Sequence, residues 1–392
     1  MALTDARAHV TDRESWLEAA RSLSTIVRDH AEETERLGRV AEPVMSAMRD
    51  ADLFWPMLPP DYGGADTDVV TALLVLEEIA RADGSTGWSA MITICNMLPM
   101  CGMLPRSGGN AIFAAKARPM FAGVLAPKAT AIAVDGGFHV TGRLSFASGI
   151  HHADWVGVGA FVRENGKVVS RPDGQPDIRA FFLPFGEVEL MGNWDVLGLG
   201  GTGSVDFQVT DRFVPSNFCF ELPDPPSTRP GPNFQLGLGA VGGSGHGAVG
   251  LGIAGRALEE IATLAQTKRR PGNPGICDQQ MFKHGFASKE ASLQAARRLF
   301  FGSYQDAYDE AAATGSVNPL AKQRMRQACT YATDVAADVV RWAYSWSGSD
   351  GLRNPHPLGR CLRDISGATQ HVFVDLNSMA DTAPALLAHW AR

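Results

Sequence analysis

The sequence lacks the features that would place it in a membrane or in several large enzyme classes. No uninterrupted apolar run reaches the length that a membrane span requires. The first residues, MALTDARAHVTDRESW, carry acids and contain no apolar segment of the kind found in signal peptides. No HExxH, GxSxG or Walker motif occurs. We therefore expect a soluble protein without a signal peptide, and no motif here indicates zinc-peptidase, α/β-hydrolase or P-loop chemistry.

Cysteine and positive charge are both scarce. The chain of 392 residues contains six cysteines, and none of them forms a CxxC pair. Such scatter is typical of reduced thiols in the cytoplasm and not of a disulfide framework or a zinc site. The net charge of −7 at pH 7 provides no surface for nucleic acid. We therefore predict a cytoplasmic protein with no metal ion and no nucleic-acid partner. The cysteines are Cys95, Cys101, Cys219, Cys277, Cys329 and Cys361.

The pair His151-His152 is the one sequence feature that looks like a metal site. Neighbouring residues on a strand point to opposite faces, so the two imidazoles cannot easily share one ion. We expect one exposed and one packed histidine instead.

Glycine is abundant, and its densest stretch allows two interpretations. Residues Gly237–Gly242 match the pattern GxGxxG, but a dinucleotide site needs a preceding strand, and Pro230-Gly231-Pro232 precedes them. We reject that interpretation. Ten glycines between Gly231 and Gly255 are typical of a flexible linker. Close packing of a long helix is the other explanation, and the sequence leaves both open.

Hydrophobic periodicity divides the chain into three zones. The pattern is helical from Arg13 to about Ala117, has a period of two from about Phe121 to Leu222, and is helical again after about Pro232. Such an order predicts an α+β protein of two or three domains.

Local signals support each zone. One predicted helix carries apolar residues on a single face and has Thr67 as a plausible N-cap, followed by Asp68 in its first turn. Two hairpins are predicted at Asp135-Gly136 and Asn165-Gly166, where both residues would take the positive φ angles of a tight I′ turn. A later helical stripe ends near Gly348. The apolar residues of the first helix are Val69, Leu73, Leu76 and Ala80, and those of the later stripe are Ala328, Ala332, Val335, Val339 and Ala343.

The segment Gly136–Ala160, GGFHVTGRLSFASGIHHADWVGVGA, is the most informative motif. It resembles the flavin-facing segment of the acyl-CoA dehydrogenase fold, which reads roughly Gly-x-Lys-x-Trp-Ile-Thr-Asn-Gly, then Ala-Asp and a strand. Further stretches resemble that fold in order and at sensible spacing. The matching residues of the segment are Gly142, Arg143, Phe146, Ala147, Ser148, Gly149, Ala153 and Asp154, and the further stretches are Leu58–Gly64, Glu77–Ser85, Asn193–Gly198, Gly201–Ser204 and Phe213–Pro215.

The resemblance implies an acyl-CoA dehydrogenase-like architecture. We expect an N-terminal helical domain in residues 1–118, a central β-barrel or sandwich in 119–224 and a C-terminal helical bundle in 225–392. Dehydrogenases of this fold remove a proton with a glutamate, but the corresponding stretches, Asn233–Ala257 and Arg363–His371, contain none. The usual flavin-binding Thr-Glu-Pro motif is also replaced, by Leu125–Thr130. Without the base, dehydrogenation loses its first step.

The chain instead resembles the two-component flavin-dependent monooxygenases of this fold. Arg363-Asp364 followed by His371 is similar to the C-terminal catalytic histidine motif of that group. This implies the oxygenase component of a hydroxylase, a flavoprotein that uses reduced flavin, FAD in preference to FMN, and O2 as co-substrate. The resemblance further implies that a separate NAD(P)H-dependent flavin reductase would supply the flavin, and that a C4a-hydroperoxide would hydroxylate an aromatic or heteroaromatic small molecule of phenol or indole type.

The resemblance also implies roles for individual residues. Ser148 would hydrogen bond to the N5 and peroxide region of the flavin, and Phe146 would pack against the isoalloxazine ring. His371 would act as general base on a phenol or N–H substrate, a role typically worth about 10²–10⁴-fold in rate, or would polarise the peroxide. Trp88 and Asn96 would contribute to the substrate pocket, although several relatives carry histidine about where Asn96 stands.

The flavin phosphates are assigned to a basic run and a small polar turn. Lys268, Arg269 and Arg270 lie near the position of the family's flavin-phosphate arginine, and they would act across a subunit boundary. Ser347-Gly348-Ser349 would approach the adenosine or phosphate of a neighbour's flavin. Both assignments go with the homotetramer that is typical of the family.

Three other functions stay open at this point. N-oxygenation of an amino sugar belongs to the same class of enzyme. A divergent acyl-CoA dehydrogenase or oxidase with a displaced base is the second alternative, and a scaffold that has lost its flavin is the third.

Overall fold

The structure is a computed structural model that describes residues 12–223, 225–269, 272 and 274–391. These residues contain twelve α-helices and eight strands. The N-terminal helices are α1 (Arg13–Ser22), α2 (Ser24–Asp29), α3 (Ala31–Leu37), α4 (Glu42–Asp50), α5 (Val69–Ala82), α6 (Gly84–Gly102) and α7 (Arg106–Ile112). The strands are β1 (Phe121–Val134), β2 (Gly137–Leu144), β3 (Trp155–Glu164), β4 (Lys167–Val168), β5 (Ile178–Pro184), β6 (Glu189–Leu190), β7 (Phe207–Pro215) and β8 (Cys219–Glu221). The C-terminal helices are α8 (Leu238–Thr267), α9 (Gln280–Thr314), α10 (Pro319–Ser347), α11 (Pro357–Ala368) and α12 (Leu376–Trp390).

The order of helices, then strands, then helices confirms the predicted α+β architecture. The domain limits proposed from the sequence stay a prediction. The long helices α8, α9 and α10 contain 30, 35 and 29 residues. None of the helices in the described part of the chain is both long and apolar enough to cross a membrane.

Helix α5 begins one residue later than the sequence predicted. Its N-cap is Asp68 and not Thr67, because the Asp68 carboxylate accepts hydrogen bonds from the Thr71 amide at 3.0 Å and from the Thr71 hydroxyl at 2.6 Å. The helix is buried on more than the predicted face, since Val70 and Val75 are also inaccessible. It therefore runs through the core and does not lie on its surface.

The central strands form one mixed sheet in the order β6-β7-β2-β1-β3-β5-β8, with β4 paired to β3. Strands β1 and β3 are parallel, and the other pairs are antiparallel. Both predicted hairpins are present. Asn165 and Gly166 have φ of 49° and 78°, as a I′ turn requires. In the other hairpin only Gly136 has a positive φ, 77°, so the I′ prediction was wrong there.

The sheet curls around its own core. Strands β2 and β5 are separated by β1 and β3, so in a flat sheet they would lie about 14 Å apart, three times the strand spacing. Yet the rings of Phe138 on β2 and Phe181 on β5 have centroids only 5.2 Å apart. This contact across the interior has the geometry expected of a barrel-like sheet.

The glycine-rich stretch forms the central helix α8 and not a linker. A Cβ atom on Gly252 would lie 2.4 Å from the carbonyl oxygen of Glu77 on α5, and one on Gly247 would lie 2.6 Å from the Phe300 ring on α9. Both distances are shorter than real Cβ contacts. The glycines therefore allow α8 to pack closely against several helices at once, which resolves the two interpretations in favour of close packing.

The stripe predicted for the later helix lies on α10. Four of its five residues are buried and Val335 is partly buried. The helix ends at Ser347, where Gly348 has a φ of 56°. Helix α10 thereby packs its apolar face into the same core as α8.

Candidate active site

Four side chains from distant parts of the chain meet at one end of the sheet. Trp88 lies on α6, Ser148 on the turn after β2, His246 on α8 and His371 just after α11. The indole N–H of Trp88 donates to the Ser148 hydroxyl at 3.0 Å. The Trp88 ring lies edge-on to both imidazoles, with centroid distances of 4.9 Å to His246 and 5.9 Å to His371. We call these four residues the active-site cluster.

Ser148 belongs to a chain of hydroxyl groups whose direction follows from its two ends. The Thr202 hydroxyl donates to the Leu199 carbonyl at 2.8 Å, so it accepts from Ser204, 2.7 Å away. Ser204 then accepts from Ser148, also at 2.7 Å. A hydroxyl has one proton and two acceptor positions. Ser148 therefore donates to Ser204, accepts from Trp88 and keeps one acceptor position free. We call this chain, from Trp88 to Leu199, the hydroxyl relay.

Backbone pairing between two turns sets the position of the relay. The amide of Ala147 donates to the Val205 carbonyl at 3.2 Å, and the amide of Gly149 donates to the Thr202 carbonyl at 2.9 Å. The second turn crosses close to α3, since a Cβ atom on Gly203 would lie 2.7 Å from the Gly38 carbonyl. Gly203 also has a φ of 55°, so glycine suits the site on both grounds.

The two imidazoles of the cluster form a stacked pair. Their centroids are 4.0 Å apart and their planes are inclined by 35°. Burial lowers the pKa of His371 to about 4, although Asp375 nearby opposes this shift. Burial also holds the pKa of His246 well below its usual value, and a charge on His371 would lower it further. Both rings are therefore neutral at physiological pH, as two cations at this distance would repel each other.

His246 has the least satisfied side chain of the cluster. It is 3% exposed, and neither ring nitrogen makes a hydrogen bond within the described part of the chain. Carbonyl groups of Gly242 and Gly243, in the preceding turn, favour its protonated form, but burial outweighs them. A buried polar group without a partner typically costs about 1–3 kcal/mol. The two nitrogens of His246 are therefore available to a group that enters the cluster.

Phe146 is held in an unusual conformation two residues before Ser148. Its φ is 71°, a region that bulky residues rarely occupy. The residue is 69% exposed, and within the described part of the chain its ring contacts only that of Trp194, with the two centroids 6.4 Å apart. This exposure excludes a role as ordinary core and leaves the predicted role as a wall for a bound ring.

Asn96 lies two turns beyond Trp88 on α6. Its side-chain amide donates to the Ile92 carbonyl of the preceding turn at 2.7 Å, and the residue is partly buried. The described contacts do not connect it to the active-site cluster. Its predicted role in the substrate pocket stays a prediction.

The residues predicted to bind phosphate lie together, but far from the cluster. Lys268 pairs with Asp350 at 2.6 Å and also donates to the Ser347 carbonyl. Arg269 is exposed, and Arg270 lies outside the described residues. At about 1.5 Å per residue, Lys268 lies about 33 Å along α8 from His246. One flavin ring and its phosphates cannot bridge that distance within a single copy of the chain.

The histidine pair set aside as a metal site lies in a short helical turn, Ile150–His152. Both His151 and His152 are partly buried, so the expectation of one exposed and one packed ring was wrong. The turn after Gly149 places both against neighbouring segments. Among the described residues, no group of three or more histidine, cysteine or acidic side chains has the arrangement of a metal site.

Sequence reasoning missed His246. The residues around it were compared with the part of a dehydrogenase that carries a glutamate base, and a single histidine among glycines does not match that pattern. The available signal was that one polar ring in an otherwise small and apolar helix, GGSGHGAVG. Ser204 and Thr202 were also missed as relay members, although their motif, Gly201–Ser204, was noted.

Comparisons with known proteins place the chain in a family. Residues 12–111 match the N-terminal domain of acyl-CoA dehydrogenase, and residues 244–376 match its C-terminal domain. The chain is 32% identical over 358 residues to indole-3-acetate monooxygenase of Pseudomonas putida, which covers 89% of this chain and 88% of that protein. It is 26% identical over 381 residues to the oxygenase subunit HsaA of Mycobacterium tuberculosis, a flavin-dependent monooxygenase, covering 93% of each. The crystal structure of the HsaA monooxygenase from M. tuberculosis superposes with a TM-score of 0.86 at 26% identity, covering 96% of this chain and 98% of that one. The chain therefore belongs to the acyl-CoA dehydrogenase family, in its group of flavin-dependent monooxygenases.

Proposed function

We propose that this chain is the oxygenase component of a two-component system that hydroxylates an aromatic or heteroaromatic small molecule of phenol or indole type. The observation that supports the proposal best is the meeting of the hydroxyl relay with a buried, neutral histidine pair. The hydroxyl relay provides a hydrogen-bond acceptor of fixed direction at Ser148. The histidine pair provides polar ring nitrogens beside the aromatic ring of Trp88. This combination suits oxygen transfer to a flat substrate that carries an O–H or N–H group.

The residues of the cluster fit a reduced flavin. Phe146 exposes a flat apolar ring beside the turn that carries Ser148, and strain at its φ of 71° is typical of a functional position. Ser148 has one free acceptor position, which suits the N5–H group of a reduced ring. The bound flavin supplies the electrons that activate O2.

Ser148 acts in this proposal as an acceptor with a fixed direction. Its own proton is committed to Ser204, so it can hold a proton on N5 without competing for it. Because Ser148 and Trp88 are both buried, a hydrogen bond between N5–H and the Ser148 hydroxyl would lie away from bulk water. A preorganised hydrogen bond of this kind is typically worth about 10²–10³ in rate.

His371 orients the substrate. It is neutral, and its Nδ1 atom accepts from the Phe373 amide at 3.3 Å, so its Nε2 atom carries the proton and can donate a hydrogen bond to a substrate oxygen. Its pKa, lowered by burial to about 4, makes it a weak base before the substrate is activated. General-base help is greatest when the pKa of the base lies near the working pH. His371 therefore orients the substrate oxygen by donating from Nε2, and its low pKa makes it a weak acceptor of the substrate proton.

The flavin phosphates are assigned to Lys268, Arg269 and the turn Ser347–Ser349 of a second copy in a homotetramer. The distance of about 33 Å along α8 supports this assignment. Lys268→Ala should weaken binding of FAD, the preferred flavin, and of FMN. Lys289→Ala removes a different ion pair, with Asp338 at 2.5 Å, and should leave the affinity unchanged. Equal effects in both variants would contradict the assignment.

A separate NAD(P)H-dependent flavin reductase and a cytoplasmic location complete the proposal.

A rapid-mixing experiment tests the proposed function. The protein is loaded anaerobically with reduced FAD or FMN and mixed with oxygenated buffer, as wild type, Ser148→Ala and Ser148→Thr. We expect a transient near-ultraviolet absorbance band before the oxidised flavin spectrum, shortened in Ser148→Ala and retained in Ser148→Thr, which keeps a hydroxyl. Direct reoxidation without this band in the wild type, together with anaerobic bleaching of oxidised flavin by acyl-CoA thioesters, would contradict the proposal and indicate a dehydrogenase.

A further inference from the structure

A buried carboxyl group that takes no part in the proposed chemistry lies at the far end of the hydroxyl relay. Asp364, on α11, is 2% exposed. Its Oδ1 atom accepts from the Leu199 amide at 2.7 Å. The carbonyl of the same residue, Leu199, is the last acceptor of the relay, since both the amide and the hydroxyl of Thr202 donate to it, at 3.1 and 2.8 Å. Asp364 therefore holds the peptide unit on the N-terminal side of Leu199, and Thr202 holds the next unit, whose carbonyl ends the relay.

Leu199 needs such a contact because its backbone is strained. Its φ and ψ are 56° and 31°, in the left-handed region, which is unfavourable for a residue with a Cβ atom. It is also 6% exposed, so water does not satisfy its amide. A residue persists in this region only where its surroundings hold it there. The contacts with Asp364 and Thr202 do so from opposite sides.

Asp364 also touches the helix that carries the first donor of the relay. A Cβ atom on Gly84, the first residue of α6, would lie 2.8 Å from the Asp364 Oδ2 atom. The N-cap of α6 is Asp83, whose side chain accepts from the Thr86 amide at 2.8 Å. Trp88 follows in the next turn. One carboxyl group thus contacts both the turn that ends the relay and the helix on which it begins.

We propose that Asp364 is a positioning residue that fixes the direction of the hydroxyl relay. By accepting from the Leu199 amide it fixes the peptide unit before Leu199 and so holds Leu199 at the φ and ψ angles that aim its carbonyl at Thr202. Thr202 must then accept from Ser204, and Ser204 from Ser148, which leaves Ser148 with its free acceptor position. The proposal rests on the proposed function only in the use that a bound flavin makes of Ser148.

Several charged groups surround Asp364, and the hydrogen bond from the Leu199 amide favours its charged form. Burial raises the pKa of Asp364, and the neighbouring Asp83 carboxyl raises it further. Glu35 on α3 acts in the same direction, and Arg360 on α11 opposes it. Arg256 on α8 lines the same cavity of about 190 Å³ as both carboxyl groups. Either protonation state of Asp364 can accept from an amide, so its contact with Leu199 does not require the negative charge.

The test compares Asp364→Leu with Asp364→Asn. Leucine has a similar shape and cannot accept a hydrogen bond, whereas the asparagine oxygen can still accept from Leu199. The main readout is the ¹⁵N–¹H resonance of the Trp88 indole group in flavin-free protein, assigned with Trp88→Phe. In Asp364→Leu we expect this resonance to shift and its protection against hydrogen exchange to fall about tenfold. In Asp364→Asn both should stay as in the wild type.

Two further variants separate the hydrogen bond from other causes. Asp83→Asn changes the neighbouring charge without touching Leu199, and it should leave the Trp88 resonance unchanged. Thr202→Val breaks the relay one link earlier, and it should reproduce the effect of Asp364→Leu. The double variant of Thr202→Val and Asp364→Leu should show no further loss of protection, because both changes interrupt the same chain.

The second readout is the yield of hydroxylated product per reduced flavin oxidised, which should fall in Asp364→Leu and not in Asp364→Asn. An unchanged Trp88 resonance in folded Asp364→Leu would overturn the proposal, as would an equal change in Asp364→Asn. If Asp364→Leu does not fold, the Trp88 resonance is compared between Thr202→Val and Asp364→Asn instead. An unaltered Trp88 resonance in Thr202→Val then overturns the proposal. The resonance is measured without flavin, so it decides even if the chain oxygenates no tested substrate.

Discussion

The buried histidine pair predicts that the protein loses stability in mild acid. Burial lowers the pKa of His371 to about 4 in the folded state, whereas an unfolded chain has a histidine pKa of about 6.5. The folded state therefore resists protonation at this site. Replacing His371 by glutamine, which does not titrate, should remove its share of the pH dependence.

The sign follows from which state binds more protons. Below pH 6.5 the unfolded chain takes up a proton at His371 and the folded chain does not, so the free energy of unfolding falls as the pH falls. The stability that the neutral ring contributes is fully present above pH 6.5 and is lost on the way down to about pH 4. The full span corresponds to about 3 kcal/mol, and the part lost between pH 7.5 and 5.5 to about 1.3 kcal/mol.

Denaturant unfolding of the flavin-free protein at pH 7.5, 6.5 and 5.5 measures this loss. The drop in the free energy of unfolding from pH 7.5 to 5.5 should be smaller in His371→Gln than in the wild type, by about 1.3 kcal/mol. A remaining dependence is expected, because burial also lowers the pKa of His246 and that of His152. The matched control is His284→Gln, which replaces an exposed histidine on α9.

Two outcomes would refute the reasoning. If His371→Gln kept the full pH dependence of the wild type, the ring would not be held neutral by its burial. If His284→Gln reduced the dependence as much as His371→Gln, the effect would come from the number of histidines and not from the stacked pair. Either result would also remove the basis for treating His371 as a neutral ring in the proposed function.

Strain and close packing give two further predictions. Phe146→Gly should raise the free energy of unfolding by up to about 1 kcal/mol, because glycine tolerates a positive φ. The same variant should bind reduced flavin more weakly in an anaerobic titration. A variant that is less stable than the wild type and binds flavin equally well would contradict both the strain and the flavin contact of Phe146. Gly252→Ala should lower the melting temperature through overpacking of about 1–3 kcal/mol against Glu77. Gly302→Ala, in α9 with open space around its Cβ position, should stabilise by about 0.5–1 kcal/mol, and equal effects would count against the packing argument.

Much of the fold could be predicted because its signals are local. A hairpin is encoded in a few adjacent residues, so Asn165-Gly166 was placed correctly with its turn type. A helical stripe such as that of α10 repeats over many residues and tolerates errors at its ends. The wrong prediction for the start of α5 concerns a single position, where two neighbouring residues can each serve as the N-cap. Thr67 and Asp68 can both cap a helix, and Asp68 caps α5 because its carboxylate reaches the Thr71 amide.

The active site was only half predictable, because its contacts join distant segments. Ser148 and His371 lie in motifs that resemble a family, so they could be named as candidates from the sequence, and the structure brings both into the active-site cluster. The bond between Trp88 and Ser148 joins residues 60 apart, and that between Leu199 and Asp364 joins residues 165 apart. No periodicity or local pattern carries such information. The helix of His246 contains a run of glycines, which is also typical of a flexible linker. The buried position of the His246 ring could therefore not be predicted from the sequence.

The locations of strain provide an independent argument for where the site lies. Among the described residues, Phe146 and Leu199 are the only large apolar side chains with a positive φ. One lies two residues before Ser148, and the other ends the hydroxyl relay. Each conformation costs about 1–2 kcal/mol, and the unpaired nitrogens of His246 add a cost of similar size. Because these costs coincide in one place, and strained or unsatisfied groups cluster at binding and catalytic sites, they support the same location for the site as the motifs do.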